Sequence, residues 1–205
     1  MEKTKKEVRA EVIERRRTVP FIERVRKSAR ICERVGEMLN EILPADRSSK
    51  KPVVALYSAM PGEVDLSELA LGLVSHECRV AFPAMIEGSD DGRKSHMEFF
   101  EVSWDELNSS AESFLTKPLK LYTRAELVED GFPYIAENEI DVVISPMVAF
   151  DNANRRLGYG GGNYDRLFAA IRPDTTVIGV AFDEQEVDCV PTDEYDIPLP
   201  VIVHE

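Results

Sequence analysis

What this 205-residue sequence has little of narrows its chemistry first. It holds three cysteines, Cys32, Cys78 and Cys189, far apart and in no CxxC pair, so neither a disulfide framework nor a thiolate metal centre is expected, and a reducing compartment suits it. Its three histidines, His76, His96 and His204, are dispersed, with no HExxH pair, which removes the usual zinc-hydrolase reading. There is no long apolar run and the N-terminus is charged, without the apolar centre of a leader peptide, so a cytoplasmic protein with no membrane partner is expected. Positive charge is scarce overall, with a formal net charge of -13, and nonspecific binding of nucleic acid by the whole surface is disfavoured. Two phosphate-loop signatures are also absent. No Gly-Lys-Ser/Thr tripeptide occurs, and Asn163 stands where a dinucleotide fingerprint counted from Gly158 and Gly160 needs its third glycine.

The positive charge that exists is concentrated. Residues 1–34 carry twelve Lys or Arg against six Asp or Glu, a basic arm on an acidic body. The spacing predicts a helix over residues 3–17 with a narrow apolar stripe of Val8, Val12 and Ile13, on which Lys5 and Arg9 are i,i+4 neighbours. They suit one shared anion or, as on most charged helix faces, plain solvation beside Glu7, Glu11 and Glu14. A second helix is expected from Pro20 at its first position to Leu43, stopped by Pro44, with Phe21, Val25, Ala29, Cys32, Gly36 and Leu39 inward.

Short apolar runs at residues 52–57, 79–83, 142–144 and 176–182 read as buried strands, with a crossover helix carrying Leu66, Leu69, Ala70, Leu73 and Val74 between the first two. A polar turn is expected over residues 87–93, a hairpin or edge strand over 97–102, and a further edge strand over 201–203. Trp104 is expected to anchor packing or to stack on a flat ligand, and residues 105–139 show little period. The pattern is that of one α/β domain over residues 1–205, an open, mostly parallel sheet flanked by helices, with added N-terminal helices.

The densest chemistry runs from Asp141 to Ala170. A strand leads into Arg155 and Arg156, then Gly158, Gly160, Gly161 and Gly162, then a helix that Asn163 is placed to cap. Glycines turn successive N–H groups around an anion, and a helix start adds free donors and partial positive charge, so phosphate fits. Arg155, Arg156 and Arg166 could supply the donors, and Asp165 could hold a divalent cation beside the phosphates; a bare surface turn is the bland alternative. Nearer the N-terminus, the turn after the first strand brings Glu63 and Asp65 to the edge where open α/β sheets bind ligands. There Glu63 could accept from a polar heterocycle or simply charge the next helix start.

Taken together, Pro146, Phe150-Asp151, Arg156-Leu157-Gly158, the glycines and Tyr164-Asp165-Arg166 resemble the signature of the 5-formyltetrahydrofolate cyclo-ligase family. The resemblance extends over nearly the whole chain: the basic helix, the Tyr57-Ser58 turn into Glu63-Val64-Asp65, the run from Ala181 to Gln185 and a late Asp196 fall in the family's order. It implies ATP- and Mg²⁺-dependent closure of 5-formyltetrahydrofolate to 5,10-methenyltetrahydrofolate by a monomer acting on small molecules, on a fold shared with sugar-phosphate isomerases and CoA transferases. By motif match, ATP would be bound by Lys5, Arg9, Arg156, Leu157, Gly158, Tyr159, Gly160, Gly161, Gly162, Asn163 and Tyr164. The folate would meet Tyr57, Glu63, Gly160, Gly161, Gly162, Asn163 and Tyr164, with Arg156 and Tyr164 catalytic and Asp165 and Asp196 holding Mg²⁺. The family usually carries two aromatics after the glycines where this chain has Asn163-Tyr164, and Ser113 to Pro118 replaces a Gly-Ile-x-Glu-Pro stretch. Binding of folate or nucleotide without turnover is the alternative, and a nucleic-acid role for the basic arm the weaker third.

Overall fold

The structure is a computed structural model that describes residues 3–44, 50–88, 92, 94–109, 111–193 and 196–205. Its first helix, α1 (Lys5–Arg17), is fixed at the start by a reciprocal cap, in which the Glu7 amide donates to Thr4 Oγ1 and the Thr4 amide to Glu7 Oε2. One face of α1 is buried, at Val8, Val12 and Arg16, so the apolar stripe read from the sequence runs on into an arginine. The second helix, α2 (Phe21–Ile42), buries Ser28, Ile31, Cys32, Val35 and Leu39. This corrects the expected face: Phe21 and Val25 are exposed, and Pro20 sits one position earlier than expected, at the cap. The buried face is set by packing on α3 (Ser67–Ser75) and the last strand, and the first turn of α2 carries its apolar side chains into solvent.

The sheet is built from β1 (Val53–Ala55), β2 (Arg79–Glu87), β3 (Ser95–Val102), β4 (Leu121–Tyr122), β5 (Tyr134–Ile135) and β6 (Val142–Ser145), continued by two later strands. Those are β9 (Thr176–Ala181) and β10 (Val201–His204), while β7 (Ala149–Phe150) and β8 (Arg156–Leu157) form a separate antiparallel hairpin. The strand order is β10-β9-β6-β1-β2-β3-β5, with β4 also on β2. The pairs from β10 to β2 are parallel, whereas β3 runs antiparallel to its neighbours β2 and β5. The expected open α/β sheet is therefore present, with the hairpin over residues 97–102 lengthened into β3. Of the expected polar turn over residues 87–93, Ser89, Asp90, Asp91 and Arg93 lie outside the described residues.

Period-2 alternation explains why the central strands are so uniformly apolar. Val54, Val142, Ile144, Ile178 and Val180 face one layer with Ile31, Leu39 and Phe100; Val53, Val143, Val177 and Phe99 face the other with Leu167 of α6 (Asn163–Ala170). Each buried aliphatic side chain stabilises the fold by about 1.5–3 kcal/mol before entropy is counted. The poorly periodic stretch resolves into α4 (Trp104–Leu107), β4, α5 (Arg124–Glu129) and β5, gathered around Phe114, which meets Phe132 edge-on at 4.9 Å. Trp104, expected as an anchor or stacking group, is 47% exposed at the start of α4. A third small cluster, Val8 and Val12 with Val148, Ala149, Leu157 and Val190, docks α1 on the β7–β8 hairpin.

Candidate functional site

Strand β1 lies between β2 and β6; from it the chain proceeds to one side through β2, and from β6 to the other through β9 and β10. Such a reversal opens a crevice at the strands' carboxyl ends. Here Arg16 lies against both the turn after β1 and the glycine loop after β8, Arg156 ties in the segment before β10, and α1 is laid across the hairpin.

The hairpin is made rigid by Asp151, which is fully buried. Its carboxylate accepts from the amides of Ala153 (3.0 Å), Arg155 (3.2 Å) and Val190 (2.8 Å) and from Arg155 Nε (2.7 Å). Arg155 thus serves the hairpin and not the crevice, contrary to the expectation that both arginines supply charge to an anion. Arg156 turns inward instead. It is buried, donates to the Ile197 carbonyl and to Asp165 Oδ1, and lies 4.6 Å from the Phe168 ring.

The glycine loop takes conformations that side chains resist, with φ of +97° at Gly160 and +64° at Gly162. At Gly160 a side chain would also meet the guanidinium of Arg9, at 3.4 Å. Gly162 caps α6 in place of Asn163, which is displaced into the first turn because the left-handed φ needed at the cap favours glycine. The Asn163 amide accepts from Arg166 Nη2 at 2.5 Å and its Nδ2 faces Met85 Sδ at 3.7 Å, so it leans on β2.

Within the protein the cations of α1 meet different partners. Lys5 donates to Asp193 Oδ2 (2.7 Å) and to Asp196 Oδ2, while Arg9 Nε donates to the Gly158 carbonyl at 2.7 Å. Burial alone would raise the Asp196 carboxyl, but the Lys5 ammonium and the Asp193 amide outweigh it and hold it below the usual range. The loop's Glu194 and Tyr195 lie outside the described residues.

On the opposite wall the Tyr57 hydroxyl donates to the Val64 carbonyl at 2.8 Å and braces the turn. Glu63 Oε2 accepts from the Met60 amide at 2.8 Å, whereas Glu63 Oε1 and Ser58 Oγ are buried with no hydrogen-bond partner of ordinary geometry among the described residues. Burial raises the Glu63 carboxyl, opposed by the Met60 amide, the Arg16 charge and the Tyr159 hydroxyl. Burial, followed by the Glu63 charge, pushes the phenols of Tyr57 and Tyr164 up, and Arg156 opposes this at Tyr164. Both stay protonated donors. Tyr57, Glu63, Tyr159, Tyr164 and Arg156 therefore belong to one electrostatic unit.

Two participants were not evident from motif reading. Arg16 is 3% exposed and its Nη2 donates to the Tyr159 hydroxyl at 2.6 Å. Its signal was positional, since residues 8, 12 and 16 fall on one helix face. Ser58, unpaired next to Tyr57, had no signal beyond its place in the turn. Among the described residues no group of three or more His, Cys, Asp or Glu side chains comes together, and no helix is long and apolar enough to cross a membrane.

Comparisons with known proteins bear on the family and the fold. The model of the 5-formyltetrahydrofolate cyclo-ligase family matches residues 1–205. A 5-formyltetrahydrofolate cyclo-ligase of Escherichia coli K12 is 34% identical over 152 residues, 73% of this chain and 76% of that protein. Among solved structures, a 5,10-methenyltetrahydrofolate synthetase from Mycoplasma pneumoniae superposes with a TM-score of 0.70 at 20% identity, covering 98% of each chain. One from Aquifex aeolicus gives 0.65 at 27% identity, over 98% of this chain and 89% of that one.

Proposed function

The chain belongs to the 5-formyltetrahydrofolate cyclo-ligase family, whose ATP-dependent members convert 5-formyltetrahydrofolate to 5,10-methenyltetrahydrofolate, and we propose that the crevice divides this work between a nucleotide side and a folate side. In the reaction the formyl oxygen takes the γ-phosphoryl group of ATP and ADP leaves. N10 then attacks the activated carbon, and loss of phosphate, with the N10 proton passing to solvent, leaves the methenyl bridge. Such chemistry asks the protein for alignment and charge neutralisation more than for a strong base.

On the nucleotide side, Lys5 and Arg9 hold ATP with the loop of Leu157, Gly158, Tyr159, Gly160, Gly161, Gly162 and Asn163, whose amides face the phosphates. Arg156 neutralises charge on the transferring group, with its fork of donors already in the crevice. Tyr164, kept protonated, donates a hydrogen bond between the substrates. On the folate side, Glu63 accepts from the amine and amide edge of the pterin while Tyr57 lies against it. Asp165 and Asp196 are two hard oxygen donors beside the phosphate position, a set that fits Mg²⁺ with phosphate and water completing it. When bound, Mg²⁺ would offset phosphate charge. Each of these carboxylates now holds a cation of the protein, Arg156 on Asp165 and Lys5 on Asp196, and a metal held by the two carboxylates would leave Arg156 and Lys5 free to pair with phosphate.

The single observation that carries this reading is the buried Glu63 carboxylate, whose Oε1 has no donor of ordinary geometry among the described residues, in the same electrostatic unit as the glycine loop's Tyr159 and Tyr164. An acceptor left without a donor in a buried place is costly unless a ligand completes it. Purified protein with ATP, Mg²⁺ and 5-formyltetrahydrofolate should develop the methenyl absorbance; its absence, with a known cyclo-ligase active alongside, would overturn the reading. Asn163, leaning on Met85 where the family has an aromatic, favours one rival, binding without turnover, which predicts calorimetric binding of both ligands and no methenyl product. Two further parts of the reading, a monomer and a cytoplasmic location, are tested by gel filtration and cell fractionation.

A further inference from the structure

Arg16 is a buried cation that forms no ion pair among the described residues. Its guanidinium donates from Nη2 to the Tyr159 hydroxyl at 2.6 Å and, at the long distance of 3.4 Å, from Nη1 to the Met147 carbonyl, with Cζ 5.9 Å from the Tyr159 ring. Its Nε is packed on the turn after β1: at Gly62, where φ is +87°, a side chain would begin 3.4 Å from that atom. One side chain thus ties together α1, the glycine loop, the segment after β6 and the residue preceding Glu63. Its charge acts on the buried Glu63 carboxylate by way of the Tyr159 hydroxyl and not by a contact ion pair, and an apolar residue of similar size would dock α1 at least as well. Docking alone does not account for it.

Resting on the cyclo-ligase reading, we infer that Arg16 is a positioning residue for the folate: through the Tyr159 hydroxyl and the Gly62 backbone it fixes the distance between the glycine loop and Glu63. The pterin edge bound by Glu63 then lies at a set height above the loop that holds the phosphates. Because Lys5 and Arg9 stand on the same helix, about 16 Å and 10 Å along its axis from Arg16 at 1.5 Å per residue, α1 is a bar with the nucleotide at one end and the folate brace at the other. Removing the brace loosens folate binding and leaves the phosphoryl-transfer groups in place.

The test is a comparison of Tyr159→Phe, Arg16→Lys, Arg16→Met and the double variant Arg16→Met/Tyr159→Phe. Tyr159→Phe removes one hydroxyl and keeps the ring. It should raise KM for 5-formyltetrahydrofolate about five- to tenfold and change kcat less than about threefold, the pattern of a lost binding contact. Arg16→Met should raise KM at least as much, Arg16→Lys should recover part of the loss, and the double variant should be no worse than Arg16→Met alone, because both break the same link. A Tyr159→Phe enzyme with wild-type folate KM, or single effects that multiply in the double variant, would overturn the inference. If Arg16→Met does not fold, Tyr159→Phe decides. Calorimetric titration with 5-formyltetrahydrofolate alone separates the two claims. Wild-type protein that binds no folate and forms no methenyl product sinks the cyclo-ligase reading, and this inference with it. Wild-type protein that binds folate no better than Tyr159→Phe sinks only the inference.

Discussion

The two walls of the crevice are balanced in opposite ways. On the nucleotide side charges are already matched inside the protein, with Lys5 on Asp193 and Asp196, Arg156 on Asp165, and Arg9 on a loop carbonyl. On the folate side two buried polar atoms, Ser58 Oγ and Glu63 Oε1, have no hydrogen-bond partner of ordinary geometry among the described residues, with the Tyr159 hydroxyl near the Glu63 carboxylate. A self-neutralised wall is stable without its ligand and must exchange partners to bind it, whereas an unsatisfied wall is destabilised until its ligand arrives. Affinity on the first side is a difference between two sets of ion pairs. On the second it is close to the full value of the contacts formed.

Substitutions can break this contrast, and the largest effect is expected at Arg156. Arg156→Met leaves Asp165 and Asp196 facing phosphate with less opposing charge, and kcat/KM in the methenyl-absorbance assay should fall about a thousandfold, as when a principal transition-state charge donor is lost. A loss below tenfold would mean that Arg156 only ties the Ile197 carbonyl and Asp165 together.

Next is Glu63→Gln, which should weaken folate binding about a hundredfold by calorimetry while raising stability by about 1 kcal/mol in thermal or urea unfolding, because a buried charge is removed. The sign with pH follows from its raised carboxyl. The folded state holds the proton more tightly than the unfolded chain, so the penalty is complete above the folded-state value and fades as pH falls through it toward the ordinary carboxylate range. The stability advantage of Glu63→Gln should therefore be largest at neutral pH and vanish in acid; a gap that widens on acidification would show that Glu63 is favourably paired.

Smaller again, Lys5→Met should raise KM for ATP about tenfold and flatten its salt dependence, since one exchanged ion pair is gone. An equal rise in folate KM would erase the distinction between the walls. The smallest change expected is Asn163→Tyr, which should lower folate KM about two- to threefold through added ring contact. A rise would indicate that the amide's bond with Arg166, and not ring area, shapes that corner.

The sheet was legible where burial is complete: Val142, Val143 and Ile144 face apolar layers on both sides, and nothing polar dilutes the pattern. The stretch over residues 105–139 was not legible by period, because its strands are two residues long and its core is a set of aromatic edges. Ser103 with Glu106 and Thr123 with Glu126 form reciprocal caps at the starts of α4 and α5, a local pairing that a search for periodicity passes over. In the site, the glycine loop and Glu63 were visible as local chemistry. The partners of Lys5 and Arg9 were not, because spacing along a helix shows which side chains are neighbours and not which way the body draws them. Arg16 was hidden for the opposite reason: a charged residue on an apolar stripe reads as the end of the stripe.

The ion pairs of Lys5 have a kinetic side. Lys5 meets Asp193 and Asp196 across 188 and 191 positions of sequence, and close to the same end of the chain Arg34 donates to the His204 carbonyl of β10. Contacts of such separation close late, since the chain must first give up the freedom of nearly its whole length. The central strands pair over shorter spans. During refolding, burial of the sheet should therefore precede nucleotide competence, and a fluorescent ATP analogue should report a later phase than far-ultraviolet circular dichroism. The nucleotide wall is in this sense a clasp, and its closure marks the moment at which both ends of the chain have found their places.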